Sequence, residues 1–259
     1  MPTIATWNVN SVKARLPNVL EWLRSAAPDI VLMQEIKCET EAFPALEIGD
    51  LGYNLAVLGQ KSYNGVALLS KLPIEDVQLG LPGNDGDLHA RYIEATTGGY
   101  RVGGLYLPNG NPVASEKYPY KLAWMDRLKA RIRDLLATGQ PFVLGGDYNV
   151  IPAPEDCYDP KAWEEDALYR LETRRKFREL LHLGLTEAYR TLHPSERAYT
   201  FWDYQAGAWP LDKGLRIDHF LLSPQAADKV ISCTVDREPR GRPKASDHTP
   251  VMLTLDEAA

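Results

Sequence analysis

The sequence has few cysteines, and they lie far apart. Cys38, Cys157 and Cys233 are an odd number and form no Cys-x-x-Cys pair. Disulfide frameworks and structural zinc sites both need closely spaced or even sets of cysteines. The sequence therefore predicts three free thiols and argues against either kind of site.

Long apolar runs are also missing. The longest, residues 30–33 and 66–69, are far shorter than the roughly 18 residues that span a bilayer. Residues 1–9 have the pattern of a strand, without the basic start and long apolar stretch of a secretion signal. These features predict a cytoplasmic protein that does not enter a membrane.

Positive charge is not in excess. The 29 Lys and Arg residues stand against 35 Asp and Glu residues, which gives a net charge of −6. Binding a polyanion needs one basic face and not a basic total, so the net charge does not exclude nucleic acid as a partner. Local groups of basic residues are therefore the better indicator of nucleic-acid binding.

Neither a repeat nor a low-complexity linker divides the 259 residues. A chain of this length can bury one large core without help from a disulfide, a metal or a partner. The sequence therefore predicts one domain spanning residues 1–259, in which any metal would serve function and not folding.

Short β-type runs alternate with amphipathic helical patterns. The β-type runs are residues 3–9, 29–34, 53–58, 65–69, 91–95, 102–107, 141–145, 217–222, 229–235 and 250–255. Apolar residues at helical spacing predict helices around residues 16–23 and 122–135, and a third helix within 164–182. Because several runs follow each other too closely for crossover helices, the pattern favours an α/β sandwich of packed sheets over a doubly wound parallel sheet.

Polar side chains interrupt the apolar strands at their ends. They are Asn8, Asn10, Glu35, Asp147, Asn149, Asp218, Asp247 and His248. If these strand ends meet at one rim of a sheet, their oxygens form a site for a hard cation such as Mg²⁺ or Mn²⁺, and not for zinc or copper.

Each of these residues also has an ordinary structural explanation. An Asp or Asn at a strand end is more often a turn former or a helix cap, and either Asn10 or Ser11 is placed to cap the helix that follows. Glu35 is harder to explain in this way, because a buried acid must be paired or bound to a metal. No single one of these residues indicates a functional site, but their combination does.

Five short segments carry a resemblance to the endonuclease/exonuclease/phosphatase superfamily, in its order and approximate spacing. They are Trp-Asn-Val-Asn at 7–10, Gln-Glu at 34–35, Gly-Asp-Tyr-Asn at 146–149, Leu-Arg-Ile-Asp at 215–218 and Ser-Asp-His at 246–248. Residues 59–69, 105–110 and 200–204 resemble the exonuclease III branch, DNA repair enzymes that are also apurinic/apyrimidinic (AP) endonucleases. The resemblance covers essentially the whole chain and implies a DNase I-like fold, a four-layer α/β sandwich with two packed mixed β-sheets flanked by helices.

The resemblance implies a phosphodiesterase that uses Mg²⁺ or Mn²⁺. The family residue that matches Glu35 binds the metal, and the residues expected around it are Asn8, Asp147, Asn149 and Asp247. Asn10 stands where some relatives carry an aspartate, so the pocket would hold one negative charge fewer. Whether one metal or two would bind stays open.

The resemblance also implies the catalytic roles. His248 would touch the scissile phosphate, and Asp218 would orient its imidazole. Asp147 would either activate the water or protonate the leaving group, a choice the sequence leaves open. Asn149 would position the water or a phosphate oxygen, and Tyr106 would offer its phenol near the reacting phosphate.

Duplex DNA is the implied partner, bound by loops near the same rim. The expected contact residues are Lys61, Arg91, Lys121, Phe201, Trp202, Leu215, Arg216 and Ile217. The basic members would contact phosphates, which makes binding weaken with salt. The apolar members would form a pocket for a flipped abasic sugar. A further basic group, Arg237, Arg240, Arg242 and Lys244, directly precedes the Ser-Asp-His segment.

The expected function is cleavage 5′ to abasic sites and removal of nucleotides from the 3′ ends of double-stranded DNA, by a monomer. One alternative is a superfamily relative that acts on RNA or other phosphoesters. The other is a DNA-binding module without activity. That module predicts losses among the polar residues, yet the sequence retains Glu35, Asp147, Asn149, Asp218, Asp247 and His248.

Overall fold

The computed structural model describes residues 1–256, which form twelve strands and six α-helices. The strands are β1 (Thr3–Asn8), β2 (Ile30–Gln34), β3 (Asn54–Leu58), β4 (Val66–Ser70), β5 (Glu75–Leu79), β6 (Tyr92–Thr97), β7 (Tyr100–Tyr106), β8 (Phe142–Asp147), β9 (Thr186–Glu187), β10 (Asp218–Leu222), β11 (Val230–Val235) and β12 (Val251–Leu255). The helices are α1 (Leu16–Ala26), α2 (Ala45–Gly49), α3 (Lys117–Ala137), α4 (Leu171–Leu181), α5 (Ala188–Leu192) and α6 (Pro224–Ala227).

The strands form two six-stranded sheets. The first has the order β11-β12-β1-β2-β4-β3, and the second has the order β5-β6-β7-β8-β10-β9. Each sheet contains one parallel pair, β1 with β2 and β7 with β8, and a helix crosses between the two strands of each pair. Both sheets are therefore mixed, because every other pairing is antiparallel.

The two sheets pack face to face with helices on the outside. Ile4, Leu32 and Phe220 lie in the apolar layer between the sheets. Helix α1 covers the outer face of the first sheet, where Trp22 packs edge-on against Trp7 with ring centroids 5.2 Å apart. Helices α3 and α4 cover the second sheet. Each fully buried large apolar side chain contributes roughly 1.5–3 kcal/mol of transfer free energy. The four layers confirm the predicted α/β sandwich.

Strand register brings the polar strand ends to one rim. In the parallel pairs, Asn8 lies opposite Gln34, and Tyr106 lies opposite Asp147. The antiparallel strand β10 begins at the same rim, because Asp218 lies opposite Asp147. The segment before β12 also ends there, since β12 begins opposite the end of β1. The fold thus collects residues that are far apart in the sequence.

A close approach of β7 and β8 fixes this register. A Cβ atom at Gly146 would lie 2.0 Å from the backbone oxygen of Leu105, so no larger residue fits. Asp147 follows directly and is held against Tyr106 as a result.

The third helix predicted within 164–182 is confirmed as α4. Helix α4 begins at Leu171, because Asp166 uses its carboxylate to accept hydrogen bonds from the Leu168 backbone N–H and the Asn111 side chain. Such side chain to backbone bonds compete with helix formation. No helix among residues 1–256 has both the length and the apolar character needed to cross a bilayer.

Candidate active site

A cavity of about 280 Å³ opens at the rim where the strand ends meet. Of the residues expected to form the site, those that line the cavity are Glu35, Tyr106, Asp147, Asn149, Phe201, Ile217, Asp247 and His248. The structure therefore brings together carboxylates, an amide, a phenol and an imidazole that come from both sheets. Asn8 and Asp218 lie behind this lining and hydrogen-bond to it.

His248 lies between two carboxylates. Its Nδ1 is 2.8 Å from Asp218 Oδ2, and its Nε2 is 3.6 Å from Asp147 Oδ2. Burial alone would lower the pKa of His248, but Asp218 and Asp147 outweigh it and raise the pKa to about 10. The imidazole is therefore cationic at neutral pH, with its Nε2–H turned toward the cavity side.

The pKa of Asp147 is also raised, which for a carboxyl favours the neutral form. Burial raises the pKa of Asp147 to about 7, with Asp218 and Glu35 adding to the rise and His248 opposing it. Its Oδ1 accepts from the Asn149 backbone N–H at 2.9 Å, and its Oδ2 accepts from Asn8 Nδ2 at 2.9 Å. A carboxyl whose pKa lies near neutrality, held in one orientation, is suited to proton transfer in either direction.

Glu35 stays ionised at the other side of the cavity. Burial alone would raise the pKa of Glu35, but Lys37 and the Asn8 amide outweigh it and lower the pKa. Asn8 is fully buried, and its Nδ2 donates to both Glu35 and Asp147, at 2.9 Å each. This amide therefore joins the two sheets at the site.

The backbone turns sharply at three of these strand ends. Asn10, Glu35 and Asn149 have φ angles of 43°, 51° and 48°. This left-handed region costs an L-amino acid roughly 1–2 kcal/mol and is found preferentially at functional sites. From these turns, Glu35 and Asn149 line the cavity.

Two sets of residues in this region could hold a metal. Ligand atoms of Asp147, Asp218 and His248 all lie within 4.8 Å of one another. The imidazole of this set is already cationic and pairs with Asp218 and Asp147, so it offers no lone pair to a metal at neutral pH.

The second set consists of oxygens around Glu35. The ammonium of Lys37 lies 2.7 Å from Glu35 Oε2 and also donates to Asn10 Oδ1. Asn10 in turn donates to Asp247 Oδ1 at 3.0 Å. These oxygens already hold a cation, and carboxylate and amide oxygens are the ligands that Mg²⁺ prefers. The donor set therefore fits the expected hard cation.

Tyr106 contributes a neutral phenol. Burial raises the pKa of Tyr106 well above its usual range, and the charges of Glu35 and Asp147 raise it further. Arg91 lies over the tyrosine ring, 4.8 Å from its centroid, and donates to the Tyr106 backbone oxygen. The phenol therefore remains a hydrogen-bond donor at neutral pH.

Lys61, one of the predicted DNA contacts, is exposed and does not line the cavity.

The structure corrects the predicted role of Lys121. This lysine is 0% exposed, and its Nζ donates to the backbone oxygens of Asn149 at 2.6 Å and Asn109 at 3.0 Å. It cannot reach DNA phosphates from this position. It instead ties together the two loops that follow β7 and β8, while Asn109 Nδ2 donates to Asn149 Oδ1 at 3.1 Å.

Arg216 requires the same correction. It is 1% exposed and forms ion pairs with Asp156 at 2.8 Å and Glu187 at 2.7 Å. Its guanidinium is enclosed behind β10 and is not available to a phosphate. Sequence alone gives no sign of this, because a buried arginine and an exposed arginine look the same in a motif.

The structure brings two of the four residues of the predicted apolar pocket to the cavity. Phe201 and Ile217 line the cavity, but Trp202 is 0% exposed and Leu215 is 1% exposed, and neither lines it. Trp202 packs edge-on against Trp209 and donates to Asp212.

Several cavity residues were missed by the sequence analysis. They are Asn109, Asn111, Trp163, Asp166, Leu168 and Asp203. Asn109 and Asp203 lie within segments that carry the family resemblance and could have been found there. The turns around Trp163 and Leu168 have no regular pattern, so nothing in the sequence marked them.

Comparisons with known proteins identify a family and several similar proteins. The model of the endonuclease/exonuclease/phosphatase family matches residues 5–248. Exodeoxyribonuclease III of Haemophilus influenzae is similar, with 30% identity over 258 residues that cover 95% of this chain and 97% of the relative.

Two solved structures are similar over nearly their whole length. An AP endonuclease from Archaeoglobus fulgidus is 38% identical with a TM-score of 0.95, and the match covers 99% of this chain and 100% of that one. The 3′ phosphatase NExo from Neisseria, bound to a product DNA hairpin, is 40% identical with a TM-score of 0.96 and the same coverage.

Proposed function

The chain belongs to the endonuclease/exonuclease/phosphatase family, and from this premise we propose that it is a DNA repair nuclease that cuts duplex DNA 5′ to abasic sites and removes nucleotides from 3′ ends. The observation that carries the proposal is the placement of His248, Asp147 and Glu35 around one cavity. All of these groups come from one chain, so a monomer suffices.

His248 is the group that binds the scissile phosphate. A cationic imidazole offers a charge-assisted Nε2–H to a phosphate oxygen and stabilises the charge that develops in the transition state. Asp218 holds Nδ1 at 2.8 Å and so fixes the ring orientation. Tyr106, which lines the same cavity, adds a second donor that is neutral.

Asp147 is the proton-transfer group. Its pKa of about 7 allows it to accept a proton from the attacking water or to pass one to the leaving oxygen at neutral pH. Asn8 and the Asn149 backbone hold both of its oxygens. The Asn149 side chain lines the cavity and is placed to orient the water or a phosphate oxygen.

Glu35, assisted by Asp247, Asn8 and the loop of Asn149, would hold Mg²⁺ or Mn²⁺ when the ion is bound. The ion supplies Lewis-acid neutralisation of the phosphate charge. Lys37 must then release Glu35, which its long flexible side chain permits.

The substrate preference comes from the apolar wall of Phe201, Ile217, Trp163 and Leu168. An abasic sugar is small and costs little to unstack, so an apolar wall favours it over a nucleotide that carries its base.

A side-by-side assay tests the proposal. We expect cleavage of a sealed duplex with one abasic site and of a duplex with a recessed 3′ end, in the presence of Mg²⁺ and not of EDTA. An intact duplex competitor distinguishes DNA from RNA or other phosphoesters as the substrate, since only a DNA enzyme is inhibited by it. Absence of cleavage of both duplexes with Mg²⁺ would refute the proposal.

A further inference from the structure

One carboxylate in the candidate active-site cavity takes no part in proton transfer or in the proposed metal site. It belongs to Asp203, which lines the cavity two residues after Phe201 of the apolar wall. Asp203 is exposed, whereas Asp147 and Asn149 in the same cavity are buried. It therefore lies where the cavity opens to solvent.

The other carboxylates of the cavity are already engaged within the protein. Each of them accepts a hydrogen bond from a neighbouring side chain; they are Glu35, Asp147, Asp166 and Asp247. Asp203 instead accepts one bond from a backbone group, the Gln205 N–H, at 2.8 Å to Oδ1. Among residues 1–256, no basic side chain pairs with Asp203, and no protein group donates to its Oδ2. This oxygen is therefore free to accept a hydrogen bond from a bound molecule.

An unpaired carboxylate is unfavourable in a cavity that binds phosphates. Like charges at an interface repel each other and weaken binding. Asp203 therefore favours a substrate only if that substrate offers it a hydrogen-bond donor. Neither the phosphates nor the ring oxygens of a DNA backbone carry such a donor, so the relevant group must be a hydroxyl or an amine.

The abasic sugar of the proposed substrate carries one suitable donor. Loss of the base leaves a hydroxyl on C1′ of the closed sugar ring. The 3′ and 5′ oxygens of this sugar are esterified inside the strand, so the C1′ hydroxyl is its only donor. Phe201 and Ile217 form an apolar wall for the sugar, and Asp203 follows Phe201 closely in the same segment.

We propose that Asp203 accepts a hydrogen bond from the C1′ hydroxyl of the abasic sugar and is a specificity-determining residue. This inference rests on the proposed function. Hydrogen bonds to an ionised acceptor are stronger than those between neutral groups. The apolar wall then favours a sugar without a base, and Asp203 recognises the hydroxyl that replaces the base.

Two abasic duplexes that differ by this hydroxyl test the inference. One carries a natural abasic site, made by excising uracil directly before the assay, and the other carries a tetrahydrofuran analogue that lacks the C1′ hydroxyl. For the wild type, we expect kcat/KM to be about tenfold higher for the natural site, the contribution of one hydrogen bond to a charged acceptor. For Asp203→Ala, this ratio should fall below threefold.

A conservative variant separates recognition from loop structure. Asp203→Asn keeps an oxygen for the Gln205 N–H but removes the charge, so its ratio should also fall below threefold. A purely structural role would instead be restored by asparagine. Glu116→Gln is the matched control, because Glu116 is an exposed acid that lines an adjacent cavity and not this one. It should keep the wild-type ratio.

Binding of an intact duplex gives a second readout. Fluorescence anisotropy should show that Asp203→Ala binds this duplex as tightly as the wild type or more tightly, because a like charge has been removed. Weaker binding would mean that Asp203 supports the DNA-binding surface in general, which contradicts the inference.

The inference is also overturned if the wild type cleaves both abasic duplexes equally well, or if Asp203→Ala keeps the wild-type ratio. Thermal unfolding checks that the variants fold, and if Asp203→Ala does not fold, Asp203→Asn decides. A wild type that cuts neither abasic duplex refutes the proposed function instead, so the two failures are distinguishable.

Discussion

Two buried groups of charged residues lie on opposite sides of β10, and they are built differently. Asp218 and His219 are consecutive in this strand, so their side chains point to opposite faces. Asp218 faces His248 and the cavity, whereas His219 contacts Glu187 and Arg216 behind the strand. We call the second group the closed cluster; its members are Asp156, Glu187, Arg190, Arg216 and His219.

In the closed cluster the charges satisfy one another. Arg216 bridges Asp156 and Glu187, Arg190 also pairs with Asp156, and His219 Nε2 lies 3.0 Å from the Val150 backbone oxygen. At the candidate active site, by contrast, Asp218 Oδ1 is buried with no hydrogen-bond partner. The pKa of Asp147 is raised there, and the group borders a cavity. Burial of charge is common to both, so incomplete satisfaction beside a cavity is what separates a reactive site from a structural one.

The sharpest test of this comparison is removal of the reactive groups. Asp147→Asn and His248→Ala should each lower kcat by about 10³-fold or more, because proton transfer or phosphate stabilisation is lost. Duplex binding, measured by fluorescence anisotropy, should persist. A turnover close to that of the wild type for either variant would show that the roles are assigned wrongly.

Breaking the closed cluster should affect stability instead. Arg216→Met leaves Asp156 and Glu187 buried without their partner and should lower the free energy of unfolding by about 3–5 kcal/mol. Urea denaturation measures this loss. Arg133→Met, at an exposed position of α3, should change it little. Equal stability of the two variants would mean that the closed cluster does not hold the fold.

Lowering the pH should destabilise the protein through Glu187, a member of the closed cluster. Burial alone would raise the pKa of Glu187, but Arg216 and His219 outweigh it and lower the pKa from 4.5 to about 2. A depressed folded-state pKa gives stability that is present above pH 4.5 and is lost as the pH falls toward 2. A shift of this size corresponds to about 3 kcal/mol.

The measurement compares unfolding free energies between pH 5 and pH 2. The wild type should lose this contribution over that range, and Glu187→Gln should show a correspondingly shallower decline. Glu155→Gln, at an exposed position, is the control and should follow the wild type. Parallel curves for the wild type and Glu187→Gln would contradict the expectation.

The smallest expected effect concerns the cavity wall. Trp163→Ala should reduce the preference for the abasic duplex over the recessed duplex by about tenfold in kcat/KM, the loss expected when an apolar contact is removed. Trp202→Phe should leave that ratio unchanged, because Trp202 lies in the core and does not line the cavity. If Trp202→Phe lowered the ratio and Trp163→Ala did not, Trp202 and not Trp163 would belong to the pocket.

Much of the fold could be predicted because its strands are apolar and buried. All ten predicted β-type runs coincide with strands of the structure. The two missed strands lack that signal: β5 is mostly exposed and carries Glu75, Asp76 and Gln78, while β9 has only two residues. Hydrophobic patterning cannot mark a solvent-exposed edge strand.

The strand-end residues of the site were predictable for a similar reason. Parallel strands end at the same edge, so Asn8 and Glu35 had to lie near each other once the sheet formed. The burial of Lys121 and Arg216 was not predictable, because it depends on carbonyl and carboxylate partners contributed by remote segments. Whether a charged side chain is exposed to solvent depends on its partners in the tertiary structure and not on its residue type.

Asn8 has a consequence beyond its place in the cavity. It ends a strand of the first sheet, yet its amide reaches Asp147 in the second, so the reacting groups keep their spacing only while the halves of the sandwich stay in alignment. A slip between the two sheets would lengthen this hydrogen bond and leave every strand intact. The catalytic rate is therefore sensitive to that alignment. On gentle heating, activity should be lost at a lower temperature than the secondary structure measured by circular dichroism.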